Sequence, residues 1–304
     1  MANTSQALTT ARNNKKDEFY TSYDDIALEI PHYSVWKDKI VYCNCDNVES
    51  NFVKYFYLNF KKLGLKALVS TGYRQGSVGD ILYKDNLKVL YGRLEDEGSY
   101  DSPTCTELLD LCDIVVTNPP FSKFRHYLSL LTEHKKRFLL LGNINVITNK
   151  DIFSLIRDQK LWLGATIHSG DREFRVPNDY PLTATGTREE GGIKYVRVKG
   201  VRWFTNIPHD YTPKLILTKT LNTAQYQQYD NYDAINVNKV SEIPVDYQGK
   251  IGVPITYLDK HNGTYDILGL DIQMQDNPRP NKRFLINGKE TYARIIIQKK
   301  EINI

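Results

Sequence analysis

The chain has 304 residues, 41 % of them hydrophobic, with 40 Lys and Arg against 36 Asp and Glu for a net charge of +4. That composition supports packed cores in one large domain or in a domain of ~200 residues plus a smaller one. No run of 18 apolar residues argues for a membrane span, and the opening Met1-Ala-Asn-Thr-Ser-Gln lacks a signal peptide's basic-then-apolar order. Four cysteines in this length argue for reduced intracellular thiols, and the mild positive charge suits a polyanionic partner.

Residues 1–14 are small and polar without periodicity and read as a flexible arm. Asp17–Ile30 reads as a turn followed by a helix. A strand–helix rhythm follows: strand over Lys39–Asn44, helix over Asn51–Lys62, strands over Lys66–Ser70 and Leu87–Tyr91. Next come a helix over Thr104–Leu111, a strand over Asp113–Thr117, a helix over Lys123–His134 and a strand over Arg137–Leu141. A helix over Lys150–Asp158, a strand over Leu161–Ile167 and a strand within Val198–Asn206 complete the series. This alternation predicts an α/β domain over 15–208 with a seven-stranded, mostly parallel, doubly wound sheet. Segment 168–198, with its glycines, prolines and arginines, reads as a long loop, a class of segment that tends to be functional or mobile. Past residue 208 the rhythm fails, and 209–304 reads as a compact α+β module.

The most informative stretch is Asp113-Ile-Val-Val-Thr-Asn118-Pro119-Pro120-Phe121. A buried apolar strand runs into two prolines, which fix φ twice and hold Asn118 extended. The bend thus presents the Asn118 amide, the Pro119 carbonyl and the Phe121 ring at a strand's carboxyl end, where open α/β sheets bind ligands. An exocyclic amine on a nucleobase is a poor nucleophile because its lone pair is delocalised into the ring. Two oxygen acceptors would each take one amine hydrogen, and an aromatic ring would stack on the base. The bland alternative is a strand-ending turn with Asn118 capping the next helix.

A sulfonium methyl donor needs a carboxylate-binding edge, an acid or amide near ribose and adenine, and an aromatic wall. Cys43, Asn44, Cys45 and Asp46 end the first strand, the usual nucleotide position of such sheets, although the glycine-rich turn of a dinucleotide site is missing. Asp46 could equally cap the following helix. Asp96 and Glu97 follow the third strand, and Tyr20 and Thr21 precede the first, offering donors to a carboxylate. Cys43 and Cys45 form a lone C-x-C without a second pair or a nearby histidine, so no metal site is expected.

With these segments in place, the chain closely resembles the EcoRI-type adenine-specific DNA methyltransferases from about Lys16 to its end. The resemblance is carried by DEFYT (17–21), VYCNCDN (41–47), SNFVKYF (50–56), LGLKALVS (63–70), DIVVTNPPFSKFR (113–125), LWLG (161–164), YDNYDAINVNK (229–239) and IPVDYQGKIGVPITYL (243–258). It departs at DEGSY (96–100), where the family more often has a GDGSF-like string, and in 168–200, which shares little beyond VP-x-x-Y.

The resemblance implies a class I, Rossmann-like methyltransferase fold with a C-terminal target-recognition region over 209–304. It implies transfer of methyl from S-adenosylmethionine to N6 of an adenine flipped out of a specific duplex DNA sequence. Asn118, Pro119, Pro120 and Phe121 would be catalytic. Tyr20, Thr21, Cys43, Asn44, Cys45, Asp46 and Asp96 or Glu97 would line the cofactor pocket. Lys123, Arg172, Arg175, Asn231, Asn236, Asn238 and Lys239 are the residues expected on DNA. The implied setting is a monomer in a bacterial cytoplasm, encoded by host or phage and belonging to a restriction–modification or other DNA-modification system. Any cognate endonuclease would act on the same sequence without touching this protein. Amino methylation of cytosine N4, RNA or a protein glutamine would use the same bend, and a catalytically silent DNA-binding protein could keep the fold. Phe121 and the C-terminal module favour adenine in DNA.

Overall fold

The computed structural model describes residues 19–182, 186–222 and 226–300. The expected arm over 1–14, and Asp17 and Glu18, lie outside the described residues. The chain divides into two units, Met1–Asn143 with Leu163–Asp210 and Ile144–Trp162 with Tyr211–Ile304. No helix among the described residues is long and apolar enough to cross a membrane.

The first unit opens with helix α1 (Tyr23–Glu29). Ser22 caps it by accepting from the Asp25 amide at 3.1 Å, and Asp24 and Asp25 complement the helix dipole in its first turn. Strand β1 (Ile40–Cys43) leads to α2 (Asn51–Leu58), capped by Ser50, and β2 (Ala67–Gly72) follows. β3 (Asp80–Lys84) and β4 (Val89–Arg93) form a hairpin before α3 (Pro103–Leu111), β5 (Ile114–Thr117), α4 (Phe124–Glu133) and β6 (Arg137–Asn143). A two-residue edge strand, β7 (Trp162–Leu163), carries the boundary between units. The unit ends with β8 (Asp171–Val176), β9 (Thr187–Glu190), β10 (Ile193–Lys199) and β11 (Val201–Thr205).

The main sheet has eight strands in the order β4-β3-β2-β1-β5-β6-β11-β7. Its centre, β2-β1-β5-β6, is parallel. Every residue of β5 is buried, as expected of a strand covered on both faces. The flanks differ from the expected seven-stranded, mostly parallel sheet. Asp85 accepts from the amides of Leu87 (2.7 Å) and Lys88 (2.8 Å), closing a turn that returns β4 antiparallel to β3. A parallel return would need a crossover of a dozen residues or more, and this turn has no room for one. β11 also runs antiparallel, against β6.

Two further expectations are corrected. Segment 168–198 is not a loop, because β8, β10 and β9 form a three-stranded antiparallel sheet. Phe174, Val176, Val196 and Val198 alternate inward at period two, opposite exposed Glu173, Arg175 and Arg197. The single strand expected within Val198–Asn206 is split by Gly200 at φ 70°, a left-handed backbone that glycine adopts without cost. The strand expected over Leu161–Ile167 shrinks to β7, because the Ala165 and Thr166 amides turn to the buried Glu29 carboxylate (2.8 Å each).

The second unit contains helix α5 (Lys150–Arg157), β12 (Gln227–Tyr229), β13 (Tyr232–Asn236), β14 (Ile251–Pro254), β15 (Tyr265–Leu270), a short hairpin of β16 (Leu285–Ile286) and β17 (Lys289–Glu290), and β18 (Arg294–Lys299). Five of these strands make a mixed sheet, β12-β13-β14-β18-β15. Its core includes Tyr232 stacked on Phe284 with ring centroids 4.1 Å apart. Here residues 144–162 join the C-terminal segment and supply its α-helix.

Candidate active site

The parallel centre of the first unit brings the carboxyl ends of β1 and β5 side by side. Thr117, the last residue of β5, stitches them. Its hydroxyl donates to Asp46 Oδ2 at 2.5 Å and accepts from the Cys45 amide at 3.2 Å. Asn118 therefore starts from a fixed point. Its Nδ2 donates to the Phe19 carbonyl at 2.6 Å, and its Oδ1 is buried with no partner among the described residues. The amide is thus clamped with its acceptor left over. Pro120 then feeds a 3-10 turn over Phe121–Lys123 that opens α4.

Phe121 is half-buried. Its ring packs on Phe19 (centroids 5.2 Å, 52° between planes) and edge-on against Phe174 of β8 (6.4 Å, 89°). Neither Phe19 as an anchor for Asn118 nor Phe174 as a support for Phe121 was readable beforehand, although Phe19 lies inside the DEFYT string.

Among the described residues, Thr21 Oγ1, both amide atoms of Asn44 at the end of β1, and Ser70 Oγ on the neighbouring β2 are buried with no hydrogen-bond partner. A buried polar group left unpaired costs about 1–3 kcal/mol, so these atoms would gain from a bound polar ligand. Asp46 is also buried, and desolvation lifts its carboxyl to about 7 against the lowering effect of Thr117 and Ser50. Such a carboxylate gains from a cationic partner. These residues fit the amine, carboxylate and hydroxyl groups of an amino-acid-bearing nucleoside cofactor.

Other expected pocket residues are placed differently. Cys43 is fully buried in the core and its thiol is pushed well above its ordinary value by desolvation, so it packs as a hydrophobe. Cys45 contributes its backbone amide to Thr117. Asp96 accepts from the amides of Gly98 (2.8 Å) and Thr104 (3.4 Å), tying its turn to the start of α3. Burial raises its carboxyl, but these bonds outweigh that and hold it below its usual value. Glu97 is exposed and accepts from Gly76 N at 2.8 Å. Gly98, at φ 77°, is required there because a Cβ would lie 2.8 Å from the Gly72 carbonyl. Tyr20 is 41 % exposed, and its amide donates to the Arg175 carbonyl at 3.0 Å, joining the cofactor-side segment to β8.

The model of the family "Adenine-specific methyltransferase EcoRI" matches residues 7–300. The chain belongs to this EcoRI-type family of adenine-specific methyltransferases. It is 39 % identical to the Type II methyltransferase M.EcoRI of Escherichia coli, with 98 % of each chain covered. It is 34 % identical to the Type II methyltransferase M.MpnI of Mycoplasma pneumoniae, covering 96 % of this chain and 97 % of the relative. For M.MgeORF184P of Mycoplasma genitalium the identity is 35 %, covering 96 % and 98 %. No solved structure matches the chain significantly.

In this methyltransferase the residues expected on DNA divide sharply. Lys123 is exposed, with its ammonium 5.7 Å from the centre of the Tyr100 ring, and Arg175 is exposed on β8. Arg172 is half-buried, 3.6 Å from Asp25. The four expected in the second unit are engaged to different degrees. Asn236 is buried, and its Oδ1 accepts from Arg294 (3.0 Å) and Tyr229 (3.0 Å) while its Nδ2 donates to Asn238. Asn238 in turn accepts from Arg294 at 2.9 Å. Both amide oxygens accept from the buried Arg294 guanidinium; Asn236 is itself buried, whereas Asn238 is exposed. Asn231 accepts from the Leu285 amide at 2.8 Å, and Lys239 lies 3.6 Å from Glu242 on the surface.

Proposed function

We propose that this DNA adenine methyltransferase extrudes its target adenine into the Asn118–Phe121 bend and methylates N6 with S-adenosylmethionine as donor. The observation that carries this reading is the clamped Asn118 amide, whose buried Oδ1 has no hydrogen-bond partner among the described residues. Asn118 Oδ1 and the Pro119 carbonyl each accept one hydrogen of the exocyclic amine, which pyramidalises the nitrogen and frees its lone pair. Phe121 stacks on the base and holds it in plane. Thr21, Asn44 and Asp46 hold the cofactor, with Tyr20, Cys45 and Asp96 or Glu97 at its margin. When bound, the cofactor supplies a sulfonium-borne methyl for direct transfer to nitrogen, and the proton leaves the cationic amine afterwards. No general base is required, so catalysis is positioning plus electrostatics.

The first unit corresponds in this proposal to a class I methyltransferase domain, near residues 15–208, and 209–304 to target recognition. Lys123, Arg172 and Arg175 contact phosphates. The protein acts as a monomer in a bacterial cytoplasm, and any endonuclease sharing its sequence works separately.

The direct test is methyl transfer from labelled S-adenosylmethionine to duplex DNA, followed by digestion to nucleosides. Label in N6-methyladenine is expected, and label in N4-methylcytosine, or only in RNA or protein, would overturn the assignment.

Two dependences follow. Phe121→Ala should weaken capture of the flipped base by about 1–3 kcal/mol. With 2-aminopurine at the target position, its fluorescence rise on binding should fall, and an unchanged rise would remove Phe121 from the stacking role. Asp46 gives a pH signature. A carboxyl near 7 is mostly protonated at pH 6 and mostly ionised at pH 8, so cofactor affinity should climb roughly tenfold across that range. Calorimetric titration should show this slope in the wild type and its loss in Asp46→Asn. A slope of opposite sign would refute the pairing.

A further inference from the structure

The buried Asn236 is spent on Arg294, which leaves duplex-reading chemistry to other side chains of that unit. A cavity of about 350 Å3 opens between α5, from Lys150 to Arg157, and the turns that follow β15. Its lining carries two cations, Lys150 and Arg157, four side-chain amides, Gln273, Gln275, Asn277 and Asn281, and no carboxylate. Lys150, held by an amide oxygen, differs from nearby cations of the unit, since Lys250, Arg279 and Arg283 each face an acid within 3 Å. Arg157 pairs with Asp158, which lies outside the lining, and Lys150 donates to the Asn281 amide oxygen.

The cavity wall is built rather than incidental. Asn277 is buried and donates to the carbonyls of Asp271 and Lys282 (2.9 Å each) while accepting from the Arg279 amide at 2.9 Å. It thereby ties the two ends of the segment into one shape. Gln273 Nε2 donates to the Lys150 carbonyl at 2.8 Å, which leaves Gln273 Oε1 buried with no partner among the described residues. Asn281, in the left-handed region at φ 64°, has its oxygen engaged by Lys150 and its Nδ2 left to donate.

One unpaired acceptor and one amide donor beside two cations complement a base edge next to a phosphate. In the major groove adenine presents an N6 donor and an N7 acceptor, the reciprocal pair. A lysine held by an amide rather than an acid, beside an exposed arginine, suits the backbone. We propose that this cavity is a sequence-reading site for duplex DNA, with Gln273 and Asn281 on a base edge and Lys150 and Arg157 on phosphates. The proposal rests on the DNA substrate already assigned and adds where specificity resides.

The test uses the full chain. Mapping N6-methyladenine in DNA from expressing cells gives the cognate sequence. Methylation rates are then compared on duplexes carrying that site and each single-base replacement. Asn281→Gly deletes the amide where glycine tolerates the backbone, and Gln273→Ala deletes the orphan acceptor. Each should reduce discrimination at one base pair by about tenfold or more and leave other positions unchanged. Lys150→Ala, at an exposed position, should weaken binding to all sequences alike and lower the salt slope of log affinity by about 1. If Asn281→Gly melts like the wild type yet keeps the full discrimination profile, and Lys150→Ala keeps the salt slope, the inference is overturned. A wild type that methylated no DNA would instead sink the substrate assignment, a separate failure.

Discussion

Asn118→Ala is expected to lower the single-turnover rate of methyl transfer by about 100-fold or more, the scale of losing one preorganised polar group at a reacting centre. Dissociation constants for DNA and for cofactor should stay within a few-fold of the wild type. Asn118 Nδ2 is fixed on the Phe19 carbonyl at 2.6 Å, so the side chain costs nothing to orient when substrate arrives. Oδ1 is buried and unpaired, an acceptor whose desolvation has already occurred during folding. Its contribution is realised only as the amine nitrogen pyramidalises, which places the effect in turnover rather than in ground-state affinity. A variant that lost binding and rate in equal measure would show that Asn118 is a structural turn residue.

Glu29→Ala should destabilise the protein by about 3–5 kcal/mol, the largest stability change foreseen for a single substitution. Glu29 is fully buried at the end of α1, and its carboxyl accepts from the Tyr33 hydroxyl (2.6 Å), the amides of Ala165 and Thr166, and the Thr166 hydroxyl. Alanine would leave four donors without their acceptor, two of them buried, and a void behind them. A Cβ on Gly164 would collide with the same carboxyl, so the approach of that segment to α1 admits only glycine. Urea denaturation should show a lower midpoint at an unchanged m-value. A loss under about 1 kcal/mol would mean that water replaces the carboxyl.

Legibility in the sequence followed from how local each signal was. The strand Ile114–Thr117 and its bend could be read directly, because three consecutive β-branched residues and two prolines leave few alternatives. The β8–β10 sheet was hidden because arginines and glutamates fill its outward positions and glycines interrupt it, so its inward Phe174, Val176, Val196 and Val198 did not stand out. Phe19 could not be matched to Asn118, which lies 99 positions away, without a fold to bring them together. Asn236 sits in an Asn-rich, surface-like string, and only the buried Arg294, contributed by β18, explains why it points inward.

The most direct measurement is a crystal structure of the full chain with its cognate duplex and an unreactive cofactor analogue. The account predicts the target adenine extruded against Phe121, its N6 within hydrogen-bonding distance of Asn118 Oδ1 and the Pro119 carbonyl, and the analogue's amine on Asp46. An adenine left stacked in the duplex, or an analogue seated away from Thr21, Asn44 and Asp46, would contradict it.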